Sequence, residues 1–380
     1  MPHAAPSPAP QSRKVQWIRA VCVVAVAGVA ASLLEDCLAA LDEHKPREAT
    51  MGRTTTDGGT KRVLVMGATV FVGRALVPAL VEAVYEFRAA TRNPGRVASF
   101  PHIEWIQCDV NQRRDVERAL EGVDALFFLV HAMGSDAHDY AETDRRAALE
   151  LREAAARAGI TRIVYLGGVA PAEEPSEHLK SRLAVGALLR GGSVPAIELR
   201  ASMIIGNGSA SWQIVRDLAM RLPVMLLPSW TASRTCPIAL EDVGVARVRA
   251  LDISLPSSAW FDIPGPDIVS GRQILAMIAA LKGRRVPSFH VPFLSVSLSS
   301  WWLKLVTRTD FSLARELVLG FKGDLLPEDD RYWSAIGYVP RWTVEAAARK
   351  ALADEGRAST FRGVAGRLGE SLVQQVSFKL

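Results

Sequence analysis

Two short stretches of this chain hold residue types whose spacing could do chemistry. The first reads Lys61-Arg-Val-Leu-Val-Met-Gly-Ala-Thr-Val-Phe-Val-Gly73. A basic start, an apolar run, a glycine turn and a second glycine opening an apolar helical pattern predict strand, tight turn and helix, half of a βαβ unit. Gly67 lets the chain reverse. A helix starting near Phe71 would point unpaired backbone N–H groups and its positive dipole end at a phosphate lying over the turn. Gly73 would let helix and sheet approach closely. Taken alone, two glycines after a strand fit a plain buried turn equally well. The second stretch is His178-Leu-Lys-Ser-Arg182, which sets a histidine and an arginine one helical turn apart. Histidine is a competent acid or base near neutral pH, whereas arginine holds hydroxyls by hydrogen bonds and cannot relay protons. The blander alternative is a histidine that caps or packs a structural helix. Lys180 faces away at helical spacing.

The elements that must position these residues follow in order. Glu86–Thr91 reads as a second strand ending in Thr91-Arg92-Asn93-Pro94, and Ile103–Cys108 as a third ending at Asp109-Val110, with a helix to Leu120. Ala125–Val130 reads as a fourth, running into His131-Ala-Met-Gly134. A long helical pattern, Asp136–Ala158, is closed by Gly159, and Arg162–Leu166 and Ala196–Arg200 give strands five and six. Short apolar strands alternating with helices predict an α/β fold, a doubly wound parallel sheet covered on both faces. Pro78 falls near the middle of the first helix, where it could kink it.

A smaller mixed lobe is expected beyond the sixth strand. The segment Ala201-Ser-Met-Ile-Ile-Gly206-Asn-Gly208 resembles one that lines the substrate pocket in extended short-chain dehydrogenases/reductases, which makes Ser202, Asn207, Ser209 and Ser211 candidate pocket groups, although such a cluster is also what an ordinary loop contains. Helices are expected at Trp212–Leu222 and Ser270–Leu281, and a small strand and turn at Phe261–Pro266. The aromatic segment Val291–Val306 could cover a greasy substrate, dock a partner or touch a membrane surface; packing inward as a lid over the lobe's core is the commoner fate of such stripes.

The chain has 380 residues, 49% of them hydrophobic, enough for a large core. Its charge of +5 comes from scattered arginines rather than a basic block, which argues against a nucleic-acid surface. Cys22, Cys37, Cys108 and Cys236 lie far apart, so neither a disulfide framework nor a metal site is indicated, and reduced thiols in a cytoplasmic setting are expected. The apolar run Ala20–Leu34 is short for a membrane span. It fits a signal-peptide core, a weak anchor giving membrane association, or a non-native extension ahead of Met51. The expected organisation is an extension at 1–58, a nucleotide-binding domain at 59–199, a substrate or partner lobe at 200–354 and a basic tail at 355–380.

These motifs resemble the short-chain dehydrogenase/reductase superfamily in its extended and atypical branches, whose turn reads G-x-x-G-x-x-G. The stretch Tyr165-Leu-Gly-Gly168, followed by His178-Leu-Lys-Ser-Arg-Leu-Ala-Val-Gly186, resembles the NAD(P)H-binding group that includes the NmrA regulators and the 39-kDa accessory subunit of respiratory complex I. Several of those relatives bind a dinucleotide and do little or no chemistry. The resemblance implies a Rossmann domain in which Gly67, Thr69, Val70, Phe71, Val72 and Gly73 hold the pyrophosphate. Asp109 and Val110 would lie beside the adenine, and Val130 and His131 would pass under the pyrophosphate and ribose. Arg92, where a carboxylate would select NAD(H), points to NADP(H). The family's serine at the end of strand five is missing, and His178 and Arg182 stand in the places of its tyrosine and lysine. They become the expected proton donor and the holder of the nicotinamide ribose. The resulting expectation is an NADP(H)-binding oxidoreductase-like protein acting on an apolar small molecule. Its rival is a non-catalytic sensor or assembly subunit with a protein partner, and a nucleotide-sugar epimerase is disfavoured because that chemistry leans on the missing tyrosine.

Val70 occupies the middle-glycine position, and its methyls should crowd the ligand at a cost of roughly 1–3 kcal/mol, about tenfold to a hundredfold in affinity. Val70→Gly is therefore expected to tighten NADPH binding in a fluorescence titration; equal or weaker affinity removes the crowding argument.

Overall fold

The side-chain alternation of the first strand decides how the sheet is covered. In β1 (Arg62–Met66), Val63 and Val65 enter one buried cluster while Leu64 and Met66 enter another, because successive side chains point to opposite faces. In β4 (Ala125–Phe128) the same split sends Phe127 one way and Leu126 and Phe128 the other. A strand apolar on both faces must be sandwiched between layers. The computed structural model describes residues 61–83, 85–97, 103–131, 137–171, 174–255, 257–291, 318–320 and 323–357. The chain divides into two compact units, Met1–Arg53 and Thr54–Leu380, and the described residues all belong to the second. The expectations for the extension, for the aromatic segment beyond Val291 and for the tail past residue 357 fall outside them.

The remaining strands of the sheet are β2 (Glu86–Thr91), β3 (Ile103–Gln107), β5 (Arg162–Gly168), β6 (Ala196–Ala201) and β7 (Ala259–Asp262). All pair in parallel, in the order β7-β6-β5-β4-β1-β2-β3. The order reverses between β1 and β4, and such a switch point opens a crevice outside the strands' carboxyl ends. Helices α1 (Phe71–Glu82) and α6 (Leu240–Ala250) pack on one face. The other is covered by α2 (Arg113–Leu120), α3 (Ala137–Arg157) and α4 (Glu177–Arg190). A further core around Trp212, Ile274 and Ala348 joins α5 (Ala210–Arg221), α7 (Gly271–Leu281) and a helix over 344–357.

Most expected elements are found within a residue or two of their expected bounds. One plays a different part: the small strand expected near Phe261 is β7, which returns to the main sheet because Phe261 is buried in the α1/α6 core and its backbone pairs with β6. Among the described residues no helix is long and apolar enough to cross a membrane.

The seating of α1 generates a stability prediction. A Cβ at position 73 would lie 2.1 Å from the Gly67 carbonyl oxygen and 2.9 Å from the Ala68 Cα, both backbone atoms. Gly73→Ala should lose about 3 kcal/mol or more, whereas Gly244→Ala in α6, whose Cβ would meet nothing within 4 Å, should be neutral or stabilising. Urea unfolding checks the pair; a Gly73→Ala protein as stable as the parent would show that the close approach is wrong.

Candidate functional site

At the end of β1 the backbone turns through Gly67 at φ +87°, a left-handed conformation that favours glycine. Val70 N–H donates to the Gly67 carbonyl at 3.1 Å, and the Val70 carbonyl accepts from Arg74 N–H at 2.9 Å. Val70 is thus the N-cap of α1, with no side-chain oxygen to bond the first amides and no acidic residue in the first turn. Other helices of eight or more residues whose starts are described have one or the other: Ser176, Ser209 and Ser270 at the caps of α4, α5 and α7, Asp115 in the first turn of α2, Glu241 and Asp242 in that of α6. The amide donors of α1 are left for an external acceptor. The Val70 side chain is half-buried and packs against the α1/α6 core, so removing it takes away packing as well as bulk. Thr69 is exposed; Phe71 and Val72 are half-buried. A Cβ at Gly67 would lie 3.1 Å from the Leu129 carbonyl carbon and 3.2 Å from Val130 Cγ2, which brings Val130 under the turn at the switch point.

Behind this turn stands Arg247 on α6, fully buried, a residue that the sequence reading passed over. Its Nη1 donates to the Val72 carbonyl at 2.5 Å and its Nε to the Val243 carbonyl at 3.2 Å, and Nη2 has no partner. Burial lowers its pKa to about 9. It remains a cation at neutral pH, has no carboxylate partner among the described residues, and adds positive potential at the first turn of α1.

Arg92 lies exposed just past β2, at the same sheet edge as the start of α1. Arg74, also passed over, is exposed in the first turn of α1. Neither has a carboxylate partner among the described residues. Asp109 and Val110 follow β3 at that edge and are half-buried. One Asp109 oxygen accepts from the Asn111 backbone N–H at 3.0 Å and its amide at 3.2 Å, so this carboxylate shapes its own turn.

The other end of the site is assembled by β4, β5 and α4. His131, just past β4, and His178, in the first turn of α4, have ring centroids 5.9 Å apart, so the fold does bring together these two predicted residues. Arg182 stands beside both. Its Nη2 donates to the Leu166 carbonyl of β5, and its own carbonyl accepts from Tyr165 Oη at 3.2 Å. Burial first, then the Arg182 guanidinium, lowers the pKa of His178 to about 4; burial, Arg182 and His178 lower that of His131 to about 3. Both imidazoles are neutral at pH 7. Tyr165 is no substitute acid, since burial raises its hydroxyl to about 12. A Cβ at Gly168 would sit 2.5 Å from Leu179 Cδ1, so a side chain there would require Leu179 to turn aside. Lys180 faces outward and pairs with Glu174 and Glu177, each at 2.8 Å.

Most of the candidate pocket groups are engaged elsewhere. Ser202 donates to the Cys236 carbonyl at 2.8 Å; Ser209 caps α5 and bonds Ser211 at 3.0 Å; Asn207 is exposed. Asp242, in the first turn of α6, accepts from Tyr338 Oη at 2.6 Å and Trp342 N–H at 3.4 Å. No cluster of potential metal ligands occurs among the described residues.

Residues 67–219 match the NAD(P)H-binding family. Over 124 residues the chain is 31% identical to a 3-beta-hydroxysteroid dehydrogenase of Mycolicibacterium neoaurum, covering 30% of this chain and 34% of that protein. It therefore spans about a third of that relative's length. Over 231 residues it is 27% identical to the (4-alkanoyl-5-oxo-2,5-dihydrofuran-3-yl)methyl phosphate reductase of Streptomyces griseus, covering 58% and 74%. The Bordetella bronchiseptica enzyme WbmG in complex with NAD shares the fold at a TM-score of 0.61, with 15% identity over 79% of this chain and 95% of that one. Residues 67–219 thus match an NAD(P)H-binding domain, carried on a Rossmann-like parallel sheet.

The histidine pair makes a pH prediction. Both folded-state pKa values lie below the usual 6.5, so the unfolded chain takes up protons first as pH falls, and stability drops from about pH 6.5 downward until the folded imidazoles protonate. Replacing His131 and His178 by Gln should flatten that limb of the stability curve. Imidazole resonances of either residue titrating near 6.5 by NMR would show that the burial argument is wrong.

Proposed function

We propose that the protein is an NADP(H)-binding oxidoreductase acting on an apolar small molecule that bears a carbonyl or hydroxyl group. The observation that carries this reading is the His131–His178 pair beside Arg182, set at the strand ends of β4 and β5 on the sheet edge where α1 begins uncapped. The cradle suits a dinucleotide: Gly67 and Gly73 occupy positions that a Cβ would block, and the first amides of α1 have no side-chain cap. Preference for NADP(H) rests on Arg92 and Arg74, guanidinium groups without carboxylate partners where a 2′-phosphate would lie. The apolar substrate is supported by the name of one curated relative, a steroid dehydrogenase; the other is named as a reductase of a phosphate ester with an alkanoyl chain.

When bound, the cofactor supplies or accepts the hydride; the rest falls to this chain. The amides of Phe71, Val72 and Gly73 hold the pyrophosphate, and the guanidinium N–H groups of Arg182 not given to Leu166 hold the nicotinamide ribose. His178 would present its ring to the substrate oxygen and stabilise charge as it develops there, while His131, whose N–H is given to the Leu129 carbonyl, would pack beside it. The proton itself comes from solvent. A second reading, a sensor or assembly subunit that binds the dinucleotide without turnover, is favoured by the bond that ties Arg182 to Leu166 and by the lack of an imidazolium.

Binding and turnover separate these readings. Arg92→Ala and Arg74→Ala should each weaken NADPH binding by about tenfold and leave NADH unchanged; equal loss for both nucleotides would remove the NADP(H) assignment. His178→Ala should lower kcat by on the order of a hundredfold with NADPH affinity intact. NADPH that raises the melting temperature while no aldehyde, ketone or quinone accelerates its oxidation would replace the enzyme by the sensor.

A further inference from the structure

Far along the chain from the histidines, Met225–Leu227 and Ser288–His290 form a two-stranded parallel ribbon in which Leu226 is the register partner of Phe289. Register partners and residues two apart share a face, so Val224, Leu226 and Phe289 point the same way. Met225 points the other way, into the core of α5 and α7. The three outward residues are exposed: Phe289 by 59%, Leu226 by 43% and Val224 by 38%. Paired large apolar side chains left in water on a formed ribbon mark an interaction surface rather than a scattered exposure.

Charge identifies what the ribbon meets. Arg284 donates to the carbonyls of Ala219 at 3.2 Å and Leu222 at 3.1 Å, and Met225 N–H donates to the Pro287 carbonyl at 2.9 Å. These bonds clamp the turn that precedes the second ribbon strand against the end of α5. Lys282 and Arg285 flank that turn, exposed and without a carboxylate partner among the described residues. The sequence contains no Asp or Glu from Leu218 to Leu240 or from Ile268 to Thr309.

We infer that this ribbon is a peripheral docking surface for an anionic lipid bilayer. Phe289, Leu226 and Val224 enter the boundary between headgroups and acyl chains, and Lys282 and Arg285 meet the lipid phosphates. A second copy is a poorer occupant, because a two-fold contact through this face would bring each basic rim toward its own copy. A neutral apolar partner would leave the cations unused. The inference is independent of the dinucleotide chemistry and stands or falls apart from it.

The test is sedimentation of the full-length chain with vesicles of phosphatidylcholine alone and of phosphatidylcholine containing about a third phosphatidylglycerol. The parent protein should bind the anionic vesicles at least ~tenfold more tightly than the neutral ones. Leu226→Ser combined with Phe289→Ser should weaken that binding by about tenfold or more. Lys282→Glu combined with Arg285→Glu should remove the preference for anionic lipid, and this exposed charge pair keeps the test decisive if the ribbon pair lowers stability. Residues 1–53 are present in every variant, so a difference between parent and variant reads the ribbon and its basic rim rather than the extension. Absence of binding by the parent, or variants that bind as it does, overturns the inference. A solution mass that doubles with concentration and returns to the monomer in the Phe289→Ser protein overturns it too, in favour of self-association.

Discussion

The candidate site depends first on one contact that only glycine permits. Helix α1 rests on the turn it springs from so closely that a methyl group at position 73 would fall inside the Gly67 carbonyl oxygen. From this seating follow the aim of the uncapped amides, the passage of Leu129 and Val130 beneath Gly67, and the approach of Arg247 to the Val72 carbonyl. Arg247 is costly by ordinary reckoning, a buried cation without a counter-charge. Its position behind a helix start that itself carries partial positive charge makes sense if an anionic group completes the balance from the other side.

The second constraint fixes α4, and with it His178 and Arg182. Glu198 of β6 is buried under this helix, paired with Arg190 at 2.9 Å and Arg200 at 3.1 Å. Its carboxylate fills the space that a Cβ at Gly167 or Gly186 would occupy, and Arg200 stacks on Trp260 with its guanidinium 4.2 Å from the ring centre. Breaking such a network by removing one member leaves an unpaired buried charge, which is far more destabilising than the intact network is stabilising. Leu179 of the same helix lies against Gly168 at the end of β5, the position a side chain there would share with it.

Legibility in the sequence followed the range of the physics involved. β1, α1, β2 and the long α3 stand out because apolar periodicity, glycine turns and the left-handed Gly159 are local signals. β7 is four residues long with only Phe261 and Asp262 buried, and nothing in such a segment announces that it closes a sheet edge begun some sixty residues earlier. Arg74 and Arg92 are both plain in the sequence, but only the strand-end position of Arg92 carries a rule that links it to a ribose phosphate. Arg247 was hidden, since a lone arginine in an apolar helix reads as solvated until the layer above it is known. The neutrality of His131 and His178 was also beyond the sequence: it arises from burial and from Arg182, which the fold gathers from separate elements.

That neutrality sets the terms on which any chemistry here proceeds. A histidine with a pKa near 7 can hand over a proton and recover it; one held near 4 keeps only the N–H of the uncharged ring to offer at neutral pH. Protonating either ring would place a second cation beside Arg182, so an anionic oxygen nearby is the natural means of raising both pKa values together. A substrate oxygen that gains negative charge would draw the pair toward protonation at the moment it is useful, whereas an oxidised nicotinamide, itself cationic, would push the pair the other way.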